Sequence, residues 1–112
     1  MKHLLIILSF LLLSSPVIGN SHKGETLYGW GNTLPYVWKG VGDKGTNPKY
    51  EGDVENGVPN GLGVLISTNG WKYFGSWKNG EIWNGTEYDK YGNIIYRWVE
   101  GKRKYHNLFK SY

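Results

Sequence analysis

The chain has 112 residues and a formal net charge of +4, a length that allows one small domain and a charge too mild to indicate a nucleic-acid binder. There is no cysteine, which excludes disulfide bonds, a zinc site with thiolate ligands and a lipid anchor on cysteine. The 17 Gly, 6 Trp and 9 Tyr residues favour a fold held together by aromatic packing on a glycine-rich backbone.

The first 19 residues have the three-part order of a secretory signal peptide. A positively charged start at Lys2 precedes an apolar run from Leu4 to Leu13, and small residues up to Gly19 follow a polar break. The apolar run is shorter than the roughly 20 residues that a membrane-spanning helix needs. We therefore expect cleavage after about Gly19 rather than retention, and an exported mature chain that is periplasmic, envelope-associated or secreted.

Residues 20–36 contain no copy of the pattern that follows and are assigned to an N-terminal lead-in. Residues 37–101 are assigned to β-hairpin repeats. Gly40-Val41-Gly42 precedes Tyr50 much as Gly61-Leu62-Gly63 precedes Tyr73. This similarity indicates an opening unit with a longer turn around residues 44–48.

A repeat with a period of 23 residues begins at Tyr50. The segment Tyr50-Glu51-Gly52-Asp53-Val54-Glu55-Asn56-Gly57 recurs as Tyr73-Phe74-Gly75-Ser76-Trp77-Lys78-Asn79-Gly80, and a degenerate third copy contains Trp98 and Gly101. Each unit predicts a strand, a tight turn and a second strand, because Asn-Gly favours the two-residue hairpin turns that need positive φ. The same reasoning predicts a tight turn at Asn69-Gly70.

Within a unit, the alternation of side chains places Tyr73, Gly75 and Trp77 on one face of a strand. A glycine between two aromatic residues leaves a slot that a neighbouring ring can fill. One hairpin is only marginally stable in water, so successive hairpins are expected to bury each other's rings. The basic tail, residues 102–112, is expected to form a last strand or a short helix that covers the open edge.

These residues carry a resemblance to a known family. Tyr-x-Gly-x-Trp-x-x-Gly, followed by Gly-x-Gly at this period, resembles the MORN repeat (membrane occupation and recognition nexus). The matching positions are Tyr50, Gly52, Gly57, Gly61, Gly63, Tyr73, Gly75, Trp77 and Gly80. The resemblance implies an all-β fold, an elongated and twisted antiparallel sheet of tandem hairpins. For function it implies a scaffold, a dimerisation surface or a lipid-binding module rather than a defined activity.

The chain departs from the family pattern in three places. Val54 stands where the family has a large aromatic residue. Four residues separate Gly80 from Gly85, where the first unit has three, and Glu87 stands at the second glycine of Gly-x-Gly. These departures predict that the array ends near Gly85, with a cap after it. They also predict that Trp83 lies in an irregular loop with its side chain turned outward.

The candidate binding surface consists of aromatic and basic residues outside the repeat positions. For Tyr73, Trp77 and Trp98 a place in the core is favoured. Trp71 and Trp83 are in turn or loop positions, so the sequence does not decide whether their rings are exposed. Exposed rings suit sugars or lipid headgroups. The basic tail suits an anionic membrane, although a solvated chain end explains it as well. The candidate residues are Trp71, Trp83, Lys102, Arg103 and Lys104.

Carboxylates are the only groups that suggest catalysis, through a pair of the kind that glycosidases use. Glu51, Asp53 and Glu55 alternate along one strand, however, which is typical of a solvated strand face. We therefore predict no catalytic residue, no metal site and no cofactor. The preferred interpretation is a non-enzymatic exported module that binds or scaffolds a protein in the cell envelope.

Two alternatives to this interpretation stay open. The first is peripheral binding to an anionic membrane through the loop tryptophans and the basic tail. The second is a small secreted hydrolase or a carbohydrate-binding protein. The partner is thus expected to be a protein or an anionic lipid surface and not a nucleic acid, and the sequence does not decide the oligomeric state.

Overall fold

The computed structural model describes residues 21–105, so the predicted signal peptide and residues 106–112 of the tail lie outside the description. Over the described range the chain is all-β and forms one open antiparallel sheet in the order β2-β1-β3-β4-β5-β6-β7-β8. The strands are β1 (Ser21–Trp30), β2 (Val37–Lys39), β3 (Lys49–Glu55), β4 (Val58–Ile66), β5 (Lys72–Lys78), β6 (Glu81–Tyr88), β7 (Ile94–Val99) and β8 (Lys102–Tyr105). Within residues 21–105 no helix has the length and apolarity to cross a membrane.

The hairpins extend on both sides of the segment assigned to the repeats. β1 lies in the lead-in and pairs with β3, and β8 lies in the basic tail and pairs with β7. From β3 to β8, strands that follow each other in the chain also neighbour each other in the sheet. The sheet itself continues beyond Gly85, because β7 and β8 extend the same antiparallel pairing.

Three tight turns of one type close the hairpins at one end of the sheet. Asn56-Gly57, Asn79-Gly80 and Glu100-Gly101 have φ values of 54° and 81°, 50° and 87°, and 48° and 81°. Two successive positive φ values define the type I′ turn, whose twist matches that of the flanking strands. The degenerate third copy thus forms the same turn as the two clear copies.

The connections at the other end of the sheet are longer. Between β4 and β5 the backbone N–H of Ser67 donates to the carbonyl of Trp71 at 2.9 Å, and Gly70 has a φ of 101°. A turn is present at Asn69-Gly70 as predicted, but it is wider than a two-residue turn, because it is part of a loop of residues 67–71 in which the side chains of Ser67 and Asn69 bond to each other. Residues 89–93 form a similar loop between β6 and β7.

Two tyrosines lie over paired glycines on one side of the sheet, which we call the inner face. The glycines oppose each other across neighbouring strands in the pairs Gly52–Gly63 and Gly75–Gly85. A Cβ atom at Gly63 would come within 2.2 Å of the Tyr50 ring, and one at Gly85 within 2.5 Å of the Tyr73 hydroxyl. The absent side chains are therefore what allows the rings to lie flat along the sheet.

The core is the inner face together with the segment that covers it. The buried apolar residues are Leu27, Tyr50, Val54, Leu65, Tyr73, Trp77 and Ile82. Residues 31–39, which we call the strap, lead into and include β2, and they fold across these rings. Leu34, Tyr36 and Trp38 of the strap alternate inward and pack against the core. The indole N–H of Trp38 donates to the carbonyl of Gly80 at 3.0 Å and fastens the strap to the β5–β6 turn.

Cross-strand pairing corrects the alignment of the second unit with the first. Gly85 pairs with Gly75 as Gly63 pairs with Gly52, so Gly85 corresponds to Gly63. Glu87, which we predicted to replace that glycine, lies opposite Tyr73 as Leu65 does. Glu87 thus occupies the position of a core leucine, and the glycine slot of the second unit is intact.

Candidate functional site

The tryptophan of the second repeat unit is part of the core. Trp77 is 3% exposed, and its indole N–H donates to the carbonyl of Gly63 at 3.3 Å. Its ring centroid lies 5.1 Å from that of Tyr50, 5.4 Å from that of Tyr73 and 5.7 Å from that of Trp38, all in edge-to-face arrangements. Such pairs add to the burial of the rings themselves. The inner face at this point is filled by the protein's own side chains.

Trp71 and Trp83, two candidate binding residues, lie in different surroundings. We predicted that Trp83 lies in an irregular loop. This prediction is wrong, because residues 81–88 form β6. The Trp83 ring is half-buried under the Lys78 ammonium group at 4.4 Å. Trp71 is also half-buried, follows the β4–β5 loop and packs against the core near the strap. The two rings therefore do not form one surface.

The three basic residues of the tail are divided between the two faces of the sheet. Arg103 lies opposite Trp98 on the inner face. Lys102 lies opposite Val99, and Lys104 lies opposite Arg97 on the other side, the outer face. The predicted basic cluster therefore does not exist as one patch.

An ion pair between a buried carboxylate and a partly exposed guanidinium on the inner face was not predicted from the sequence. Glu87 is 3% exposed, and its carboxylate accepts hydrogen bonds from the Arg103 Nη2 group at 2.9 Å and from the Trp98 indole at 3.0 Å. The Arg103 guanidinium also lies over the Tyr96 ring, 3.8 Å from its centroid. A buried carboxylate needs partners of this kind. The signal that could have revealed the site is a glutamate at a position where the first unit has leucine.

The outer face carries an apolar surface, the outer patch, which consists of Leu62, Val64, Ile66 and Phe74. Val64 and Phe74 lie directly opposite each other on β4 and β5. Leu62 is 59% exposed and Phe74 is 52% exposed, and the other two side chains are half-buried. No strand or loop among residues 21–105 covers this patch, because the strap lies on the inner face.

Charged groups surround the outer patch. Lys49 and Lys72 lie opposite Ile66 on its two sides, and Glu51 lies opposite Val64. The Lys49 ammonium group is 3.1 Å from the Glu51 carboxylate. The patch therefore has an apolar centre and a rim that carries both signs of charge.

The acidic residues of β3 hold neighbouring groups of the same hairpin. The Asp53 carboxylate accepts the backbone N–H of Leu62 at 3.1 Å, and the Glu55 carboxylate accepts the side-chain amide of Asn60 at 2.6 Å. Among the described residues no group of three His, Cys, Asp or Glu side chains could hold a metal ion. Asp53 and Glu55 thus fasten β3 to β4.

The buried tyrosines act as hydrogen-bond donors. The hydroxyl of Tyr50 donates to the carbonyl of Asp53 at 2.6 Å, and that of Tyr73 donates to the carbonyl of Ser76 at 2.8 Å. Burial raises the pKa of both Tyr50 and Tyr73 above its usual value. Both hydroxyls therefore keep their protons at neutral pH and hold the strand that carries each ring.

Comparison with known proteins finds a family match in strands β3 to β6. A family model of the MORN repeat matches residues 50–72 and 73–83. The matched residues cover β3, β4 and β5 and the start of β6, which are the strands that carry the tyrosine–glycine slots and the outer patch. Searches among curated proteins and among solved structures returned no match.

Proposed function

Since the chain carries MORN repeats, we propose that it is an exported, non-enzymatic module that binds a partner protein at the cell envelope. MORN repeats generally serve as binding modules for proteins or membrane lipids. The observation that carries the proposal is the outer patch, in which Leu62 and Phe74 expose more than half of their surface. The partner protein covers this patch.

The composition of the outer face supports a protein as the partner. Exposed apolar surface that is contiguous and has a polar rim marks interaction sites on soluble proteins. The aromatic ring of Phe74 supplies a central anchor of the kind that dominates binding energy in protein interfaces. Lys49, Glu51 and Lys72 around it offer charges of both signs, which suits the mixed surface of a protein.

The proposed location rests on the sequence. Residues 1–19 have the order of a signal peptide, and the chain contains no cysteine. A fold held by aromatic packing and hydrogen bonds needs no disulfide bonds in an oxidising compartment. An exported binding module therefore fits the composition.

Attachment to an anionic membrane is the second candidate, and a specific observation favours it. Arg97 and Lys104 lie directly opposite each other on the outer face of β7 and β8. Like charges in such a pair destabilise the sheet. An anionic surface would relieve this repulsion, and each basic residue near such a membrane contributes about 1 kcal/mol.

The proposal is tested by replacing both exposed residues of the outer patch, Leu62→Ser with Phe74→Ser. A photo-crosslinking amino acid at Ser76, which lies opposite Leu62, captures the partner in the envelope fraction. Loss of the anchor is expected to lower the yield of the crosslinked partner at least about ten-fold, because central aromatic residues carry most of the energy of an interface.

The matched control replaces two exposed valines outside the outer patch, Val37→Ser with Val41→Ser. These residues are 62% and 70% exposed, so the apolar surface that is lost is comparable. The control should bind as the unaltered protein does. Equal capture by both double variants would contradict the proposal. Sedimentation with phosphatidylglycerol vesicles that is lost with salt and with Arg97→Gln and Lys104→Gln would instead support the second candidate.

A further inference from the structure

Three cavities meet around Trp71, at the end of the sheet that carries the longer loops. Their volumes are about 440, 280 and 270 Å³, and the ring of Trp71 forms part of the wall of each. The largest lies between the strap and Trp98, and the other two lie along the loops of residues 67–71 and 89–93. Together they form one extended open depression, which we call the Trp71 groove.

Aromatic rings line the groove at intervals. Tyr36 and Trp98 form walls of the largest cavity, and Tyr91, which is 78% exposed, forms a wall of the cavity beside the β6–β7 loop. Trp71 stands between them. Aromatic faces carry partial negative charge and attract weakly positive C–H groups as well as apolar surface. The groove therefore offers a series of flat contact sites for a ligand with several rings.

Between these rings the groove is lined by uncharged polar side chains. Hydroxyl and amide groups come from the strap and from the loops near β3 and β4, namely Asn32, Thr33, Thr46, Ser67, Thr68 and Asn69. Such groups both donate and accept hydrogen bonds. Ser67 and Asn69 bond to each other, and Thr46 bonds to Asp43 and Asn47. The side chains of Asn32, Thr33 and Thr68, with the amide hydrogens of Asn69, are therefore the donors and acceptors that a ligand rich in hydroxyl groups would use.

The charged groups at the groove are balanced within the protein. Arg103 is paired with the buried Glu87 carboxylate at 2.9 Å. The carboxylate of Asp89 accepts the backbone N–H groups of Asn93 and Tyr91, each at 2.9 Å, and these bonds hold the pKa of Asp89 below its usual value. Asp89 therefore stays ionised at neutral pH, and its charge offsets that of Lys90, which lines the same cavity.

We propose that the Trp71 groove binds a linear, neutral oligosaccharide. A sugar ring has one apolar face of C–H groups, which stacks on an aromatic ring, and a rim of hydroxyl groups, which needs donors and acceptors. The groove repeats this combination in three adjoining cavities, which suits a chain of sugar units better than one compact ligand.

Two other ligands fit the groove less well. A proline-rich peptide also docks in aromatic grooves, but such a peptide has few groups that could use the dense hydroxyl and amide lining. An anionic polymer needs excess positive charge, which the pairing of Arg103 with Glu87 removes. The largest cavity of the groove lies between the strap and Trp98, on the side of the sheet opposite the outer patch, so this binding goes beyond the proposed protein contact.

The test is calorimetric titration of the purified protein with hexasaccharides of glucose, xylose and N-acetylglucosamine, each uncharged and β-1,4-linked. At least one is expected to bind with a Kd of about 1 mM or below and to change the tryptophan fluorescence. Trp71→Ala should weaken that binding at least about ten-fold. Trp30→Ala, which removes an exposed tryptophan outside the groove, should leave it unchanged.

Trp71 also packs against the core, so a second variant guards against loss of folding. Asn32 is exposed on the strap and lines two of the three cavities, and Asn32→Ala should fold normally and bind more weakly. Failure of all three hexasaccharides to bind overturns the proposal. So does binding that neither variant affects, or Trp71-dependent binding of a polyproline peptide in place of the sugars.

Discussion

A tyrosine ring over a pair of glycines is the residue-scale unit from which this sheet is built. The ring needs the space that two absent side chains leave, and its hydroxyl needs a carbonyl that the same strand supplies. Tyr50 and Tyr73 meet both needs in the same way. Because the hydroxyl of a buried tyrosine is costly to leave unpaired, ring and strand position each other.

This unit predicts that Gly75→Ala destabilises the fold. A Cβ atom there would lie 2.3 Å from the carbonyl oxygen of Asn84 and 2.5 Å from the Cα atom of Gly85. Backbone atoms in a sheet cannot move aside easily, so the free energy of unfolding should fall by about 2–3 kcal/mol. Thermal unfolding of the variant should show a melting temperature at least about 10 °C lower.

The control for this prediction is Gly40→Ala. A Cβ atom at Gly40 meets nothing within 4 Å, and its φ is not in the left-handed region. Its melting temperature should match that of the unaltered protein. If Gly75→Ala melts as Gly40→Ala does, the slot tolerates a methyl group and the close packing of Tyr73 does not stabilise the sheet.

Glu87 places a carboxylate at a position of the repeat where the first unit has a buried leucine. The sheet accommodates its charge because β8 supplies Arg103 across β7. The Glu87 side chain is 3% exposed and would be left buried without its charged partner if Arg103 were lost, whereas the Arg103 side chain is 46% exposed. The pair therefore links β8 to β6 across β7.

At the scale of the elements, asparagine side chains join successive hairpins. Asn60 Oδ1 accepts the backbone N–H of Asn79 at 2.9 Å, and Asn84 Oδ1 accepts that of Glu100 at 2.7 Å. Each of these amides lies on one hairpin and holds the first central residue of the next type I′ turn. The turns are therefore placed by their neighbours as well as by their own sequence.

We expect the substitution Glu100→Asn in the third tight turn to stabilise the fold. Glu100 has a φ of 48°, a conformation that costs an ordinary residue about 1 kcal/mol and that asparagine adopts more readily. The free energy of unfolding should rise by about 0.5–1 kcal/mol, measured by urea denaturation.

The reverse exchange in the second turn, Asn79→Glu, is the matched control. Asn79 has a φ of 50°, almost the same as that of Glu100. Asn79→Glu should lower the free energy of unfolding by about the amount by which Glu100→Asn raises it. A change of the same sign in both variants would mean that the conformation of the turn does not determine the effect.

The hairpins could be predicted from the sequence, and the longer loops and the strap could not. Alternation of residues and Asn-Gly pairs are local signals, and they located β3 to β6 and their tight turns. The loop of residues 67–71 follows from side-chain bonds that compete with the Asn-Gly preference. The contact between Trp38 and Gly80 spans 42 residues and has no local signal at all. The predicted loop position of Trp83 is wrong, because that residue lies in strand β6.

On the scale of the whole molecule, the two faces of the sheet differ because the strap covers the inner face and leaves the outer face uncovered. The strap closes the inner face over Tyr50 and Trp77 and leaves the Trp71 groove beside Trp98. The outer face receives no such cover and keeps Phe74 exposed. A single sheet thus uses one side for its own stability and has the other available for a partner.

Trp38→Ala and Trp30→Ala test this division, because the two residues lie in the same β1–β2 hairpin but face different surroundings. The Trp38 ring lies 5.6, 5.9 and 5.7 Å from those of Tyr36, Tyr50 and Trp77. Its removal opens a cavity between strap and sheet and should cost about 3–5 kcal/mol, a large share of the stability of a small domain.

Trp30 is 39% exposed and donates its indole N–H to the carbonyl of Val41 at 3.0 Å. Its loss should cost about 1 kcal/mol. Urea denaturation followed by circular dichroism measures both variants against the unaltered protein. Equal midpoints for the two would show that the strap rests on the sheet without stabilising it. A much larger fall for Trp38→Ala than for Trp30→Ala would instead mean that residues outside the matched segments complete the core, so residues 50–83 alone would not be expected to fold.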